Sequence, residues 1–379
     1  MADDGRDLTD DVVLFVNGFA YAGWESIKIT RSIESFAGSF ALDVSDRWND
    51  DENIWPITEG DACRVAIGGV SVITGYVDKL SLSGSATSRT LSVTGRDRAA
   101  DIVDCSVLIP DASTKGNKWT YKNVDIAHFA TQIAAQHNVS VSVQPGLVLK
   151  KDPSIVAHPG ESGFEAIKRA AASAGVLVVS DGTGGIVLTQ AGTARAAALV
   201  EGENIKEASV EFDATERFRR YLISSQPPGT DDANGEATRV QAQATDTDVK
   251  RENRVLVIRP EKGLGAAAAR RRADWEARIR AAKAATATIT VQGWRQPGGA
   301  LWPINAIVPV RASRLIRIEG DMLISQVDFS VGPDGKITQL RLVRPDAFTP
   351  APETAATAVV SGEVLWKEIT PDVATKGGR

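Results

Sequence analysis

The residues of this chain with chemical potential are three histidines, two cysteines, scattered carboxylate pairs and one strongly basic segment. Each fails a spacing test. A protein metal site needs His, Cys or carboxylate ligands a turn or a hairpin apart. No second His or Cys stands at such spacing from His128, His137 or His158. His128 falls among Ala and Phe, and His137 near the end of the same apolar-striped segment, where a partly positive ring suits a helix dipole. Asp246 with Asp248, and Asp231 with Asp232, lie in polar, loop-like stretches. A glycosidase needs one carboxyl in an apolar pocket and one kept ionised. No Gly-x-Ser-x-Gly elbow occurs. Gly263-Leu264-Gly265 opens a helix but follows Pro260-Glu261-Lys262 rather than a strand, so it reads as a helix start and not a dinucleotide loop. Cys63 lies in an apolar strand pattern and Cys105 follows one, and both are expected as core thiols. No catalytic, cofactor-binding or metal-binding residue is therefore nominated.

The basic segment is Ala266 to Ala285, with Arg270, Arg271, Arg272, Arg278, Arg280 and Lys283 around a stripe of Leu264, Ala268, Trp275, Ile279 and Ala282. A basic helix can track phosphates, meet an acidic protein surface, or simply be solvated. The net charge of −5 gives no general drive towards nucleic acid or anionic membranes. The leading expectation is a solvated face bracing a neighbouring element.

The elements that would position any site are mostly strands. Val12 to Val16, Asn17-Gly18 and Phe19 to Trp24 read as a hairpin. Apolar positions at period two recur at Ile27 and Ile29, at Phe40, Leu42 and Val44, and through 64–67, 71–83 and 90–94. This predicts a small, helix-free antiparallel barrel over residues 11–105. Residues 106–198 change character. Ile126, Phe129, Ala130, Ile133 and Ala134 form a helical stripe. Ser162 and Glu165 have the spacing of a capping box, and Gly175 suits a left-handed helix end. Residues 176–179 and 186–188 flank the turn Asp181-Gly182-Thr183-Gly184-Gly185, completing a small α/β module. Strand patterns return over 199–348, interrupted by a Pro, Gly, Asp and Asn rich loop at 227–237 and the helix at 266–285. Residues 349–358 read as a Pro/Ala linker, and 359–369, with Leu365 and Trp366, as a sticky docking segment within a tail over 349–379.

At 379 residues the chain can hold two or three domains and a large core. Two cysteines do not make a disulfide scaffold. The acidic start, Met1 to Asp11, lacks the basic-then-apolar pattern of a signal peptide, which would leave the sequon at Asn138 idle. No apolar run is long enough to span a membrane.

One feature organises the β segments. Trp55-Pro56-Ile57 recurs as Trp302-Pro303-Ile304. Val65, Ile67, Val77-Asp78, Leu91, Val93 and Asp97 follow the first copy. Val308, Val310, Val327-Asp328, Leu340, Leu342 and Asp346 follow the second. That is one β unit used twice. The expected fold is α+β and mainly β, with two related antiparallel barrels, an intervening α/β module and a long helix in the second half.

Three longer stretches carry a family resemblance. They are Trp24 to Ser32 with Ala37-Gly38-Ser39-Phe40, Asn204 to Ala208 with Glu216 to Tyr221, and Gly293-Trp294 with Gly298 to Asn305. In order and spacing they resemble the baseplate hub proteins of Mu-like contractile phage tails, across residues 12–348. That family is similar in fold to the hub protein of T4 and to the hub part of type VI secretion spikes. The resemblance implies a non-enzymatic structural protein, without cofactors, at the centre of a virion baseplate and assembled in the bacterial host cytoplasm. It implies a homotrimer whose six barrels form a pseudo-sixfold ring. The implied partners are tail tube proteins, the trimeric membrane-piercing spike and other baseplate proteins, with DNA passing through without specific binding and no stable membrane insertion. A hub of a tailocin or type VI-like particle is the alternative, and a tail-associated cell-wall hydrolase a remoter one.

Overall fold

The computed structural model describes residues 10–46, 56–84, 89–111, 116–192, 194–225, 240–260, 264–332, 335–352 and 357–358. Trp55, the loop at 227–237 and the segment at 359–369 lie outside the described residues.

The first seven strands are β1 (Val12–Val16), β2 (Phe19–Tyr21), β3 (Ser26–Ser32), β4 (Ser39–Asp46), β5 (Ala62–Ile67), β6 (Val70–Gly84) and β7 (Arg89–Asp97). Asn17 and Gly18 both take positive φ, 52° and 81°, as the tight β1–β2 turn requires. The return strand stops at Tyr21, short of the expected Trp24, whose buried indole donates to the Tyr21 carbonyl at 3.3 Å. A short helix, α1 (Ala100–Asp104), stands where a helix-free barrel was expected. Cys105 follows this helix and not a strand, and it is exposed, while Cys63 is buried as expected.

The middle segment holds β8 (Thr120–Val124), α2 (Ile126–Ala134), β9 (Ser140–Val143), β10 (Asp152–Val156), α3 (Gly163–Ala174), β11 (Leu177–Ser180) and β12 (Gly185–Thr189). The five stripe residues of α2 are its buried face. The Ser162/Glu165 capping box forms, and Gly175 ends α3 at φ 72°. These helices cover the β9–β12–β11 sheet and share a core with Ile102, Val107 and Phe36.

The rest comprises β13 (Glu207–Phe212), β14 (Arg220–Ser225), β15 (Val240–Thr245), β16 (Val255–Ile258), α4 (Ala266–Lys283), β17 (Ala285–Gln292), β18 (Ala306–Ala312), β19 (Ile318–Gly332) and β20 (Gly335–Val343). The main sheet runs β13-β17-β20-β19-β3-β4-β7-β6-β5-β1-β2, with β18 beside β19. It is not wholly antiparallel. Within it Ala194–Arg195 and Leu199–Val200 run parallel to β18, and in two smaller sheets β9 pairs parallel with β12 and β14 with β16. These pairs are parallel because long excursions separate the partners in sequence. The chain is α+β and mainly β.

The repeat is real, but its register differs from the sequence alignment. Both copies carry a β-bulge in the long strand, after Val77 in β6 and after Ile324 in β19. The partners Val77↔Gly95 and Ile324↔Leu342, Leu80↔Val93 and Val327↔Leu340, Leu42↔Val93 and Ile289↔Leu340 then superpose at one constant offset of 247 residues. This is also the difference between residue numbers 55 and 302. The Val77-Asp78 and Val327-Asp328 pairs, and Asp97 and Asp346, are therefore not equivalent positions. On the same ladders Cys63 matches Val308 and Ile27 matches Ala208. The Val-Asp pairs are out of step by three residues, one of which the bulge absorbs, and the later positions by two; such a slip keeps apolar side chains on the core face, so alternation alone cannot expose it.

Between β13 and β17 lies an insertion, residues 213–284. There α4 packs one face onto the β15-β14-β16 sheet with its own core of Tyr221, Ile223, Ala244, Leu264, Ala269 and Ala273. The buried face of α4 is Ala269, Ala273, Glu276, Ile279 and Ala282. Leu264 precedes the helix, and Ala268 and Trp275 are only half-buried, so the expected stripe is turned by about one position. The cause is Glu276, a polar residue on the buried side. Arg272 and Arg280 grip it at 2.9 and 3.2 Å from one turn either side.

Candidate functional site

Among the described residues no cleft gathers a set of catalytic groups. Among the described residues no group of three His, Cys, Asp or Glu could hold a metal, and no helix is long and apolar enough to cross a membrane. His128 and His158 are exposed and His137 half-buried. Asp246 and Asp248 sit in the turn after β15, as expected, but Asp246 is buried and paired with Arg217 at 2.8 Å, beside the more open Asp248. That geometry braces the turn after β15. Leu264 of the glycine pair donates its N–H to Ser225 at 2.6 Å, and Gly265 is the N-cap of α4, so this is a helix start. Gly263 lies outside the described residues.

What the structure does build is a surface. Each strand alternates, so the face opposite the core can be read along the cross-strand ladders. One row runs Glu207–Thr290–Gln339–Asp328–Thr30–Ser39–Arg96 across β13, β17, β20, β19, β3, β4 and β7. A second runs Ser209–Thr288–Arg341–Gln326–Ser32. Every member is polar, and most are short. The rows cross from one repeat into the other without a break at the β19–β3 seam, where the Thr30 hydroxyl donates to Asp328. The opposite face is the apolar core shared by both repeats, with Ile29, Leu42, Val93, Ile289, Val327 and Leu340 inaccessible. Short Ser, Thr and Gln side chains make up most of this face, with charges of both signs, and Thr290 and Ser32 within it are buried.

A buried polar joint holds the middle segment against the first repeat. Asp97, at the end of β7, is 1% exposed. Its carboxylate accepts from Gly38 N–H at 2.6 Å and from Ala99 N–H at 3.0 Å. The Ser180 hydroxyl also bonds it. Burial pushes this carboxyl above its ordinary range, against the pull of those donors and of Arg31. Burial also lowers Arg31, which Asp97 and Asp181 offset, and Arg31 donates to the Ser180 carbonyl at 3.0 Å. The β11–β12 turn can approach this closely because Gly182, at φ 78°, has no side chain. A Cβ there would stand 2.6 Å from the Val72 carbonyl. At the rim, Arg96 spans Asp78 at 2.6 Å and Asp104 at 2.7 Å, and its hydrogen bond holds the Asp104 carboxyl below the usual range.

On α4, a hollow of about 450 Å³ opens beside Trp275, Ile279, Arg280, Asp213 and Glu216. The Trp275 indole donates to the Thr349 carbonyl at 2.8 Å, so the expected linker is anchored at its start. It then returns at Thr357–Ala358 to pair with Leu147–Val148. The inner arginines of α4 serve Glu276, while Arg270 pairs with Asp274 on the surface. No local pattern marked the Asp97 joint, because Gly38, Arg31 and Ser180 lie far from it in the chain.

A doubled β unit in one continuous sheet, with a polar face running across both copies, is the architecture of a mainly-β structural protein. The comparisons agree. Residues 11–97 match the Mu phage baseplate assembly protein GpP-like N-terminal family, 99–190 the second domain of gp44-like baseplate hub proteins, and 265–351 the fourth domain of Mu phage baseplate assembly protein GpP. The chain is 32% identical to baseplate hub protein gp44 of Escherichia phage Mu over 90% of this chain and 89% of that protein. It superposes on the 43 kDa tail protein of prophage MuSo2 from Shewanella oneidensis with TM-score 0.78 and 34% identity, covering 90% of this chain and 100% of that one. A tail protein from Neisseria meningitidis shares the fold at TM-score 0.72 and 23% identity, over 91% and 99% of the two chains. The chain belongs to the Mu-type baseplate hub protein family.

Proposed function

We propose that this protein is the central hub of a contractile phage tail baseplate and that three copies close into a ring of six related β units. The carrying observation is the repeat itself: two units at one offset, side by side in one sheet, with the polar face continuous across their seam. A threefold ring of such chains presents six similar faces on one side and threefold features on the other, which can join a sixfold tube to a trimeric spike. The smooth polar face lines the passage, where DNA slides without specific binding. The insertion at 213–284, present in only one of the two units, supplies outward threefold features for other baseplate proteins.

In domain terms, we propose hub units at 11–105 and 199–348, the α/β module at 106–198, and a linker and docking tail at 349–379. The proposed protein has no catalytic step and no cofactor, sits in the virion, and assembles in the host cytoplasm without stable membrane insertion. Light scattering after size exclusion should give three times the chain mass, and imaging with the spike protein a six-lobed ring. A monomer at all concentrations, with no ring beside the spike, refutes the proposal. Deleting 349–379 should weaken spike binding by roughly tenfold and spare the trimer; unchanged affinity removes the tail's role. A purified protein that clears a cell-wall suspension would instead support a hydrolase. The same hub could serve a tailocin or type VI-like particle, and neighbouring capsid and terminase genes would mark a phage.

A further inference from the structure

The seam between the two repeats inside one chain specifies the seam between chains. This inference rests on the ring reading above and adds its residues. Inside the chain, the distal half of β19, residues 326–331, pairs antiparallel with β3, residues 27–32. The equivalent half of β6 is residues 79–84, at the offset of 247. The equivalent of β3 is β13, by Ile27 matching Ala208. Among the described residues neither of these two edges is paired. β5 covers β6 only from Val70 to Tyr76, and β13 bonds only β17. Both edges carry exposed apolar side chains that a soluble edge strand avoids. Leu82 is 55% exposed and Phe212 61%.

We infer that β6 of one copy pairs with β13 of a second copy in the register that β19 and β3 already show. That register sets Leu80 opposite Phe212, Leu82 opposite Val210 and Gly84 opposite Ala208 on the core side. These positions match Val327/Arg31, Phe329/Ile29 and Val331/Ile27 of the internal seam. On the polar side Lys79 meets Asp213, a complementary charge pair. Ser81 meets Glu211, which is the hydroxyl–carboxylate contact of Thr30 and Asp328 with its two sides exchanged. A register one residue away would put Leu82 and Phe212 on opposite faces. The contact joins two different edges, so it is head-to-tail and builds a closed ring when the rotation closes. It also extends the polar rows unbroken from chain to chain.

The test is a cysteine pair, Ser81→Cys with Glu211→Cys, in a Cys105→Ser background that removes the exposed native thiol. Directly opposed residues on antiparallel strands stand about 4.5–5.5 Å apart at Cα, within disulfide range. Mild oxidation should give a covalent ladder ending at three chain masses on a non-reducing gel. The pair Ser81→Cys with Val210→Cys, on opposite faces, should give none. Phe212→Asp, with its melting temperature unchanged, should weaken self-association at least about tenfold. A trimer that neither cross-links through the first pair nor responds to Phe212→Asp overturns the seam and leaves the hub reading standing. A wild-type monomer with no cross-linked species overturns both.

Discussion

The two repeats solve one packing problem with opposite residues. In the first, Phe40 of β4 lies opposite Gly95 of β7; in the second, the equivalent pair is Ala287 opposite Leu342. The large side chain has changed strands while the combined volume is roughly kept. Gly95 is obligatory where it stands, because a Cβ would come 2.6 Å from the Phe40 ring and 2.2 Å from the Tyr76 carbonyl. The links between equivalent strands differ more. In the first repeat residues 33–38 join β3 to β4, and this link sends Phe36 into the core of the α/β module, 4.8 Å from the Phe164 ring, and Gly38 onto Asp97. In the second, the described residues of 213–284 form a layer with its own core. A β unit evidently tolerates any connection at that corner, provided the ladders on either side keep register.

The largest effect is expected at the buried Asp97 joint of the first repeat. Asp97→Ala should cost about 3 kcal/mol in urea denaturation, because it orphans two backbone N–H donors and leaves Arg31 without its neighbouring charge. Values under about 1 kcal/mol would show that the joint does not hold the module. Next comes the exchanged pair. Ala287→Phe should destabilise by about 2 kcal/mol through overpacking, and adding Leu342→Gly should recover roughly half; simple additivity of the two losses would refute the volume exchange.

A smaller effect concerns pH. Burial raises the folded-state pKa of Asp97, so its contribution is full below the unfolded carboxylate pKa and is lost as pH rises through the folded value. The stability gap between wild type and Asp97→Asn should therefore widen as pH falls through that window, and a gap that narrows would reverse the assignment. The smallest change is Cys63→Val, which installs the residue type of its counterpart Val308 and should shift stability by under about 1 kcal/mol. Thiol titration of the folded protein should label Cys105 alone, since burial pushes the Cys63 thiol up to about 12.

Much of this was legible in the chain. The α2 stripe, the α3 capping box, the Gly175 end and the Asn17-Gly18 turn are local, and each is fixed by neighbours within one turn or hairpin. The doubling of the β unit was visible because Trp-Pro-Ile is rare enough to mark it. Its register was not, because alternating apolar residues match at several even shifts. Cys105 was misplaced because the segment before it carries strand-like aliphatics but folds as α1. The stripe of α4 was misread because Glu276 is buried by arginines that sequence periodicity counts as solvent-facing.

The sequence alone thus determined which segments are strands and that one β unit occurs twice, since these follow from periodicity and from motifs along the chain. The tertiary structure alone decided the offset between the repeats, the polar rows that cross both of them, the Asp97 joint and the two edges left unpaired among the described residues. Each of these depends on which strand lies beside which, and cross-strand pairing joins residues up to about three hundred positions apart, such as Thr30 and Asp328, that no local pattern connects.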